Sequence, residues 1–341
     1  MADLCYDDDA DLSVVQSRNV AVLGYGSQGS AQALCLRDSG VDVRVGLPEG
    51  SASRVKAQAE GLPVVTPFEA CEESDLVVVL APDAAQRTLY TEAIEPNLVN
   101  GDALLFAHGF NVRYGYLTPP PGVDVILVAP REPGELVRWQ FEEGRGVPVL
   151  VAVDQDASGR AWELALSYAK AIGGTRAAAI KTTFAEEAET GLFGEQALLR
   201  GGVSELVLAG FETLTSAGYQ PEVAYFECLH SLKRLADLMH QGGIASQRRS
   251  APAAGEYSAY TAGPYLVDDS VRQRLREVLS AIQDDSWAAE FAADQDAGAP
   301  RLAELRLLNG FTHLEATGRD LRRFTSLVSP PDDHYTDRPA P

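Results

Sequence analysis

Positive charge is scarce in this chain of 341 residues, which has 28 Lys and Arg against 49 Asp and Glu and a net charge of −21. This excess of negative charge argues against binding to nucleic acid or to an anionic membrane surface. No window approaches 18 consecutive apolar residues, so we expect no membrane span. The acidic N-terminus lacks a secretory hydrophobic region, and the sequence therefore predicts a cytoplasmic protein.

Cysteine is also rare. The four cysteines are scattered without C-x-x-C spacing, at Cys5, Cys35, Cys71 and Cys228. Packing or surface thiols are therefore expected rather than disulfides or a zinc site. Hydrophobic residues make up 45% of the chain, so its length can supply two domains with full cores. Residues 329–341, rich in Pro and Asp, are predicted to form a disordered tail.

A glycine motif follows the first strongly apolar segment. Residues 19–23 predict a buried parallel strand, and Gly24, Gly26 and Gly29 then have G-x-G-x-x-G spacing before a helix predicted at 28–39. The three glycines allow a tight turn, close approach of a pyrophosphate, and close packing of helix on strand. Such turns also occur without a ligand, but a second strand at the expected distance favours a dinucleotide site.

The pattern of the chain changes near residue 182. Before it, further apolar strands are predicted at 41–46, 76–81, 103–107, 124–129 and 147–153, followed by a helix at 157–172. After it, helices alone are predicted, at 184–200, 204–217 and 221–241. We expect an α/β Rossmann domain with a doubly wound parallel sheet over residues 1–182 and an all-α domain over 183–328.

The loop after the second strand is where such folds choose between NAD and NADP. Hydroxyls of Ser51 and Ser53 could serve a 2′-phosphate, whereas Glu49 would repel it and Arg54 is the only nearby cation. The sequence thus favours NAD(H) over NADP(H). The alternative, that Glu49 simply points into solvent, stays open.

Two kinds of titratable side chain are candidates for chemistry. His108 follows a predicted strand and precedes a glycine, so it is either an acid–base or cofactor contact or only a loop cap. Most carboxylates of the helical region, Glu187 among them, are interpreted as solvated. Glu195 and Glu227 differ because apolar residues flank each one, and a carboxylate in such surroundings is costly unless paired or metal-bound.

Several motifs together resemble the class I ketol-acid reductoisomerases (acetohydroxy acid isomeroreductases). They are GYGSQG at 24–29, AHGFN at 107–111, LFGEQA at 192–197, AGYQPE at 217–222 and AYFECLH at 224–230. The similarity covers about residues 15–327 and implies a Rossmann domain and a knotted helical domain with the active site between them. It further implies a homodimer or larger homo-oligomer, NAD(P)H and two Mg²⁺ ions.

The resemblance also assigns positions. His108 matches the active-site histidine. Together with the glycine motif and the loop described above, the candidate cofactor-binding residues are Gly24, Tyr25, Gly26, Ser27, Gln28, Gly29, Glu49, Ser51, Ser53, Asp83, Gln86 and Gly134.

Departures from the family pattern concern the metals. The family's metal-bridging Asp is Gly191 here, and a second ligand, a Glu, is Ser231, whereas Glu195 and Glu227 remain. Glycine and serine do not replace charged oxygen ligands of Mg²⁺. At most one Mg²⁺ is therefore expected, at Glu195 and Glu227, and the absence of any bound Mg²⁺ is the favoured expectation.

Other departures concern the substrate and the cofactor. The family's active-site lysine is Arg131, followed by Glu132; its substrate-contacting serine is Pro252; and its phosphate-binding arginine is Pro48. Ser231 and Pro252 are the candidate substrate contacts.

These changes predict a diverged NAD(P)-dependent oxidoreductase. It would act on a non-standard hydroxy acid or diol in specialised metabolism, with cyclopropanol formation from a sulfonium diol as one candidate. The catalytic residues would be His108, Glu195, Glu227 and Arg131. Two alternatives stay open: a genuine ketol-acid reductoisomerase of branched-chain amino acid biosynthesis, and a non-catalytic dinucleotide-binding homologue.

Overall fold

The computed structural model of the chain describes residues 3–324, so the tail predicted at 329–341 lies outside the described residues. Two compact units meet at the bond between Gly191 and Leu192, and we call them the N-terminal and C-terminal units. The domain boundary predicted after residue 182 stays a prediction. Within residues 3–324, no helix combines the length and the apolar character needed to cross a membrane.

Within the described residues, nine strands form one sheet in the N-terminal unit. They are β1 (Leu4–Cys5), β2 (Asn19–Leu23), β3 (Asp42–Gly46), β4 (Val64–Val65), β5 (Leu76–Val79), β6 (Ala103–Phe106), β7 (Asp124–Pro130), β8 (Val149–Gln155) and β9 (Ala179–Lys181). Their order is β1-β9-β8-β7-β6-β5-β2-β3-β4.

Six strands, from β4 through β7, pair in parallel, and the chain order reverses at β2. Val22 of β2 is in register with Val45 of β3 on one side and with Val78 of β5 on the other. Ligands of open parallel sheets bind outside the carboxyl ends of the strands at such a reversal. The predicted doubly wound Rossmann sheet is confirmed.

Apolar side chains cover both faces of this sheet. Val20 and Val22 of β2 belong to one buried cluster, and the alternating residues Ala21 and Leu23 belong to a second. A strand buried on both faces accounts for the continuous apolar run in the sequence. Each buried Val or Leu contributes about 1.5–3 kcal/mol, so this strand is a strong anchor for the loop that follows it.

Short helices connect the strands. They are α1 (Ser13–Gln16), α2 (Ser27–Asp38), α3 (Ser53–Ala59), α4 (Pro67–Glu72), α5 (Asp83–Leu89), α6 (Phe110–Arg113), α7 (Gly134–Glu142), α8 (Ala161–Ala171) and α9 (Phe184–Phe193). The helices predicted at 28–39 and 157–172 correspond to α2 and α8.

The C-terminal unit is helical: between residues 192 and 324, all of them described, there is no strand, which confirms the predicted all-α part. Its helices are α10 (Gly202–Ser216), α11 (Pro221–Tyr225), α12 (Ser231–Arg249), α13 (Ala253–Leu266), α14 (Asp269–Gln283), α15 (Ser286–Asp296), α16 (Pro300–Asn309) and α17 (His313–Phe324). Two π-helical turns, Gly194–Leu199 and Phe226–His230, interrupt the α-helical geometry.

The core of the C-terminal unit is small. Phe211, Ala224 and Leu314 form its one cluster of buried apolar residues among those described. Large apolar side chains are instead exposed at its surface, such as Tyr265 and Phe311, which are 83% and 81% exposed.

Candidate cofactor and active site

The glycine motif forms the turn between β2 and α2. Gly24 has φ +105°, and a Cβ there would lie 2.8 Å from the backbone nitrogen of Ala81. A Cβ on Gly29 would lie 2.2 Å from the carbonyl oxygen of Gly24, whereas one on Gly26 would meet no atom within 4 Å. The fold itself therefore requires the first and third glycines, and the second faces open space.

A cavity of about 690 Å³ opens beside this turn, at the carboxyl ends of β2, β3 and β5. Gly24, Gly46, Pro48, Ala81 and Pro82 are among its lining residues. This is the place where the strand order reverses, so the cavity has the position and size for a dinucleotide. The α2 helix begins here, with its unpaired N–H groups available to phosphate oxygens.

Two residues assigned to the cofactor are committed to a neighbouring loop. The Ser27 hydroxyl accepts a hydrogen bond from the Gly134 backbone nitrogen at 3.0 Å, and the Gln28 side-chain nitrogen donates to the Glu132 carbonyl at 2.8 Å. A Cβ on Gly134 would lie 2.0 Å from the carbonyl oxygen of Ser27. These contacts fix the loop after β7 against the glycine turn.

Tyr25 and Gln86 are also held within the protein. Tyr25 is buried, and its hydroxyl donates to a Glu60 carboxylate oxygen at 2.5 Å. The side-chain nitrogen of buried Gln86 donates to the Ala81 carbonyl at 2.9 Å, and its side-chain oxygen accepts from Asn111 at 2.9 Å. Their contact with a cofactor stays a prediction, because these bonds show structural roles only.

His108 lies after β6, beside a carboxylate that the sequence analysis had interpreted as solvated. Its Nδ1 is 3.0 Å from Oε2 of Glu187, and the same oxygen accepts from the Gly109 backbone nitrogen at 2.7 Å. The interpretation of Glu187 as solvated is wrong: it is only 3% exposed. The helical spacing of Phe184, Glu187 and Ala188, all buried on α9, was the available signal.

Asp83 and Arg131 complete the group of side chains around His108. Asp83 Oδ2 is 3.9 Å from His108 Nε2, and Arg131 Nη1 is 3.6 Å from Glu187 Oε1. Burial raises the pKa of the Asp83 carboxyl, and the facing imidazole partly offsets this. The N-terminal unit thus brings together His108, Arg131, Asp83 and Glu187, of which the sequence named the first three.

Glu195 and Glu227 do not fit their predicted surroundings. Both side chains are exposed in this chain, and Glu195 forms an ion pair with Arg200 at 3.3 Å. Each lies in a π-helical turn, a distortion often found at functional sites. Leu198, three residues after Glu195, is itself 59% exposed, and both carboxylates are exposed, so the expectation of a carboxylate in apolar surroundings is wrong.

The two predicted substrate residues lie at helix starts. Ser231 is the first residue of α12, and Pro252 immediately precedes α13; both are exposed. No contact of either residue with a candidate ligand can be derived from these positions, and their role stays a prediction.

The donor set does not fit the two magnesium ions that the resemblance implies. Gly191 has no side chain, Ser231 is neutral, and Glu187 is committed to His108 and Gly109. Among residues 3–324, no group of three or more His, Cys, Asp and Glu side chains could hold a metal ion. Mg²⁺ prefers six oxygen ligands, several of them carboxylates or water.

The loop after β3 is the candidate site for the adenosine ribose. Glu49 is exposed, and the Ser51 hydroxyl accepts from the Ser53 backbone nitrogen at 3.3 Å. The Arg54 guanidinium donates to the Leu47 carbonyl at 2.6 Å, which fixes the two ends of the loop relative to each other. The contact of Glu49 with the ribose stays a prediction.

Comparison with known proteins covers both units. Residues 14–178 match the family described as acetohydroxy acid isomeroreductase, NADPH-binding domain, and residues 184–326 match ketol-acid reductoisomerase, C-terminal domain. Over 99% of this chain and 98% of the relative, identity is 62% to "Ketol-acid reductoisomerase (NADP(+))" of Beutenbergia cavernae. With the same coverage it is 60% to the protein of that name from Kineococcus radiotolerans.

A solved structure is also similar. It is described as an NADH-preferring ketol-acid reductoisomerase from an uncultured archean, with a TM-score of 0.89 and 40% identity over 95% of this chain and 99% of that one. A putative oxidoreductase from Jannaschia, at 16% identity and a TM-score of 0.58, shares the fold.

These comparisons correct the cofactor preference. The prediction of NAD(H) over NADP(H) is wrong, because the relatives with 60% or greater identity are named for NADP(+). The physical reason lies in the loop after β3: exposed Glu49 need not face a 2′-phosphate, and hydroxyls stand at Ser51 and Ser53.

Proposed function

The chain belongs to the ketol-acid reductoisomerase family, and from that premise we propose that it is an NADP(H)-dependent ketol-acid reductoisomerase of branched-chain amino acid biosynthesis. This was the alternative in the sequence analysis. The observation that carries it is the 62% identity with a relative of that name along 99% of the chain. Specialised metabolism and cyclopropanol formation receive no support from the comparisons.

The N-terminal unit has the parts that the reductive step requires. The glycine turn would hold the pyrophosphate, and Ser51 and Ser53 would hold the 2′-phosphate. NADPH, when bound there, would supply a hydride to the carbonyl carbon of a 2-oxo acid. His108, which lies 3.0 Å from Glu187, would donate the proton to the carbonyl oxygen that completes the alcohol. Arg131 would stabilise negative charge beside it.

A second candidate is favoured by the absent metal ligands. Gly191 and Ser231 supply no carboxylate, and alkyl migration in this family depends, by the resemblance, on two metal ions. The chain would then reduce a 2-oxo acid or oxidise a hydroxy acid without migration. The two candidates share the cofactor site and differ in whether alkyl migration takes place, and therefore in the substrate accepted.

The C-terminal unit supports a homo-oligomer as part of the proposal. Of the 21 large apolar side chains that are exposed among the described residues, 15 lie beyond Gly191. A surface this apolar is typical of an interface between subunits. We therefore expect a homodimer or larger assembly, which light scattering of the purified protein would measure.

Oxidation of NADPH, followed by absorbance, tests the proposal with two substrates. One is 2-acetolactate, which requires migration, and the other is its rearranged product, 3-hydroxy-3-methyl-2-oxobutanoate. Turnover of both supports the proposed function. Turnover of the second alone supports the second candidate, and turnover of neither, with NADPH bound, contradicts both.

A matched pair of histidine variants controls this assay. We expect His108→Gln to lower kcat by about 10²–10⁴-fold, the usual contribution of a positioned acid or base. His240→Gln, at an exposed position on α12, should leave kcat unchanged. Equal activities of the two variants would remove His108 from the mechanism.

A further inference from the structure

Glu187 is surrounded by donors of the N-terminal unit. Its Oε2 is 3.0 Å from His108 Nδ1 and 2.7 Å from the Gly109 backbone nitrogen, and its Oε1 is 3.6 Å from Arg131 Nη1. The Glu187 side chain is 4% exposed, so its carboxylate oxygens accept their hydrogen bonds from groups inside the protein. Glu187 therefore offers few free oxygens to a ligand, and Asp83, 3.9 Å from His108 Nε2, is the other carboxylate described in this group.

Open space lies beside this group. Gly191 follows Glu187 by one turn of α9. A Cβ placed on it would lie 3.9 Å from His108 Cε1 and, apart from its own helix and chain neighbours, within 4 Å of no other atom of the described residues. Residues four apart share a face of a helix. The face that carries Glu187 toward the imidazole thus carries no side chain at the next turn, which leaves room for a small ligand.

Arg131 approaches the same Glu187 carboxylate and keeps donors for a ligand. Its backbone nitrogen donates to the Pro148 carbonyl at 3.0 Å, and the Gln28 contact with Glu132 fixes the following residue. The guanidinium is 47% exposed and carries five donors, of which the single 3.6 Å contact with Glu187 uses few. A planar guanidinium matches the two oxygens of a carboxylate.

A divalent cation would fit this pocket poorly. Among the described residues of the N-terminal unit it would find the carboxylates of Glu187, already engaged, and of Asp83, 3.9 Å from His108 Nε2, and it would approach the positive charge of Arg131. The exposed donors of Arg131, rather than the net charge of the group, favour an anionic oxygen, while the Glu187 carboxylate is held by His108 and Gly109.

We propose that Arg131 and the space beside Gly191 bind the carboxylate of the 2-oxo acid substrate directly, with no divalent ion in this pocket. This inference rests on the proposed function for the class of substrate, a small acid. It goes beyond that function in assigning to a side chain of the protein a recognition task that metal ions would otherwise share.

Calorimetric titration of the full chain, saturated with NADP⁺, tests this binding. The probe is 3-methyl-2-oxobutanoate, added once with EDTA and once with Mg²⁺. We expect Kd to agree within about twofold in the two buffers, since the pocket offers too few oxygens for Mg²⁺. Arg131→Gln should raise the Kd of the probe about 10–100-fold, because a charge-assisted hydrogen bond is lost. The Kd of Arg131→Lys should lie between those of the wild type and Arg131→Gln.

Controls make the result specific to this pocket. Arg160→Gln, whose side chain is 65% exposed on the surface of the N-terminal unit, should bind the probe like wild type. Thermal unfolding of each variant checks that the fold is kept. Electron paramagnetic resonance spectra of the wild type with added Mn²⁺ should show no tightly bound ion. A tight Mn²⁺ site that Glu187→Gln abolishes would place a divalent ion in this pocket.

Three results would overturn the inference: binding that requires Mg²⁺, binding unaffected by Arg131→Gln, or no binding in either buffer. Failure of the proposed function is distinguishable from these. It would appear as probe binding that depends on Arg131, together with no oxidation of NADPH by either ketol-acid substrate.

Discussion

The two units of this chain bury their apolar residues very differently. In the N-terminal unit both faces of the sheet are covered, and side chains such as Phe106 and Tyr168 are fully buried. In the C-terminal unit, within the described residues, only six apolar residues are buried, and large ones such as Tyr257 and Phe311 are exposed. The first unit buries its apolar residues within one chain, whereas the second exposes apolar side chains that the proposed homo-oligomer would cover.

This difference separates two kinds of functional residue. His108, Arg131 and Glu187 are already in contact within one unit of one chain. Glu195 and Glu227 are exposed on the helical unit, where no described contact gives them a partner for chemistry apart from the Arg200 ion pair. The residues proposed for the reduction therefore lie together within one unit, whereas Glu195 and Glu227 lie on the other.

The largest effect is expected at the glycine turn. Gly29→Val places a Cβ 2.2 Å from the Gly24 carbonyl oxygen, which can move only if the turn does. We expect a loss of at least about 3 kcal/mol of stability, at or beyond the upper end for overpacked cores. Chemical unfolding measures this.

Gly26→Ala is the matched control, since its Cβ would meet no protein atom within 4 Å. Its stability should change by no more than about 1 kcal/mol, while NADPH binding weakens at least about tenfold because the backbone can no longer approach the pyrophosphate. Unaltered NADPH affinity would place the cofactor elsewhere.

A second prediction concerns the helical unit. Leu308 is 68% exposed on α16, and Val55, on α3 of the N-terminal unit, is 73% exposed. If a partner covers the helical unit, Leu308→Glu would bury an unpaired charge in the interface. This costs several kcal/mol of association free energy and should raise the dimer Kd about a hundredfold or more. Val55→Glu should leave the mass unchanged. Light scattering over a dilution series compares them, and equal masses at every concentration would contradict the difference between the units.

Gly191 provides a third, smaller test. Gly191→Asp adds a carboxylate beside His108 and Arg131, where it competes with a bound anion for the guanidinium. We expect the Kd of 3-methyl-2-oxobutanoate to rise about tenfold. Gly194→Asp, where a Cβ would meet no atom within 4 Å, is the control with the same change of charge. Tighter binding of the anion in Gly191→Asp would argue that a metal joins the site.

The smallest effect is expected in the loop after β3. Ser51→Ala and Ser53→Ala each remove one hydroxyl from the proposed 2′-phosphate site, and each should raise the Kd of NADPH about three- to tenfold. The Kd of NADH should stay unchanged, because NADH lacks that phosphate. Fluorescence titration of both cofactors separates the two effects, and a parallel loss for NADH would mean that the hydroxyls only support the loop.

Local pattern was enough to predict the sheet and its glycine turn. The strand, the three glycines and α2 lie within about twenty residues, and their spacing is typical of a strand, a tight turn and a helix in that order. The two-residue strands β1 and β4 and the three-residue β9 were missed because such short segments carry no periodicity. β1 and β9 also pair across more than 170 residues of sequence.

The candidate site was predicted only in part, because its residues come from distant parts of the sequence. His108 was visible at the end of a strand, but its partner Glu187 lies 79 residues later, and only the folded chain shows that they meet. Glu195 and Glu227 were judged by their neighbours in sequence, but both side chains are exposed in the folded chain, which local sequence did not predict. The preference for NAD rested on Glu49, whose side chain is exposed.

The most direct measurement of the central claim is isotope transfer. The purified chain would be incubated with NADPH carrying deuterium at C4 and with each of the two ketol-acid substrates. Mass spectrometry would then measure the deuterium content of the dihydroxy acid product. Deuterium in the product from 2-acetolactate, lost in His108→Gln, is the predicted result. Tight NADPH binding with no deuterium in any product from either substrate would contradict the account.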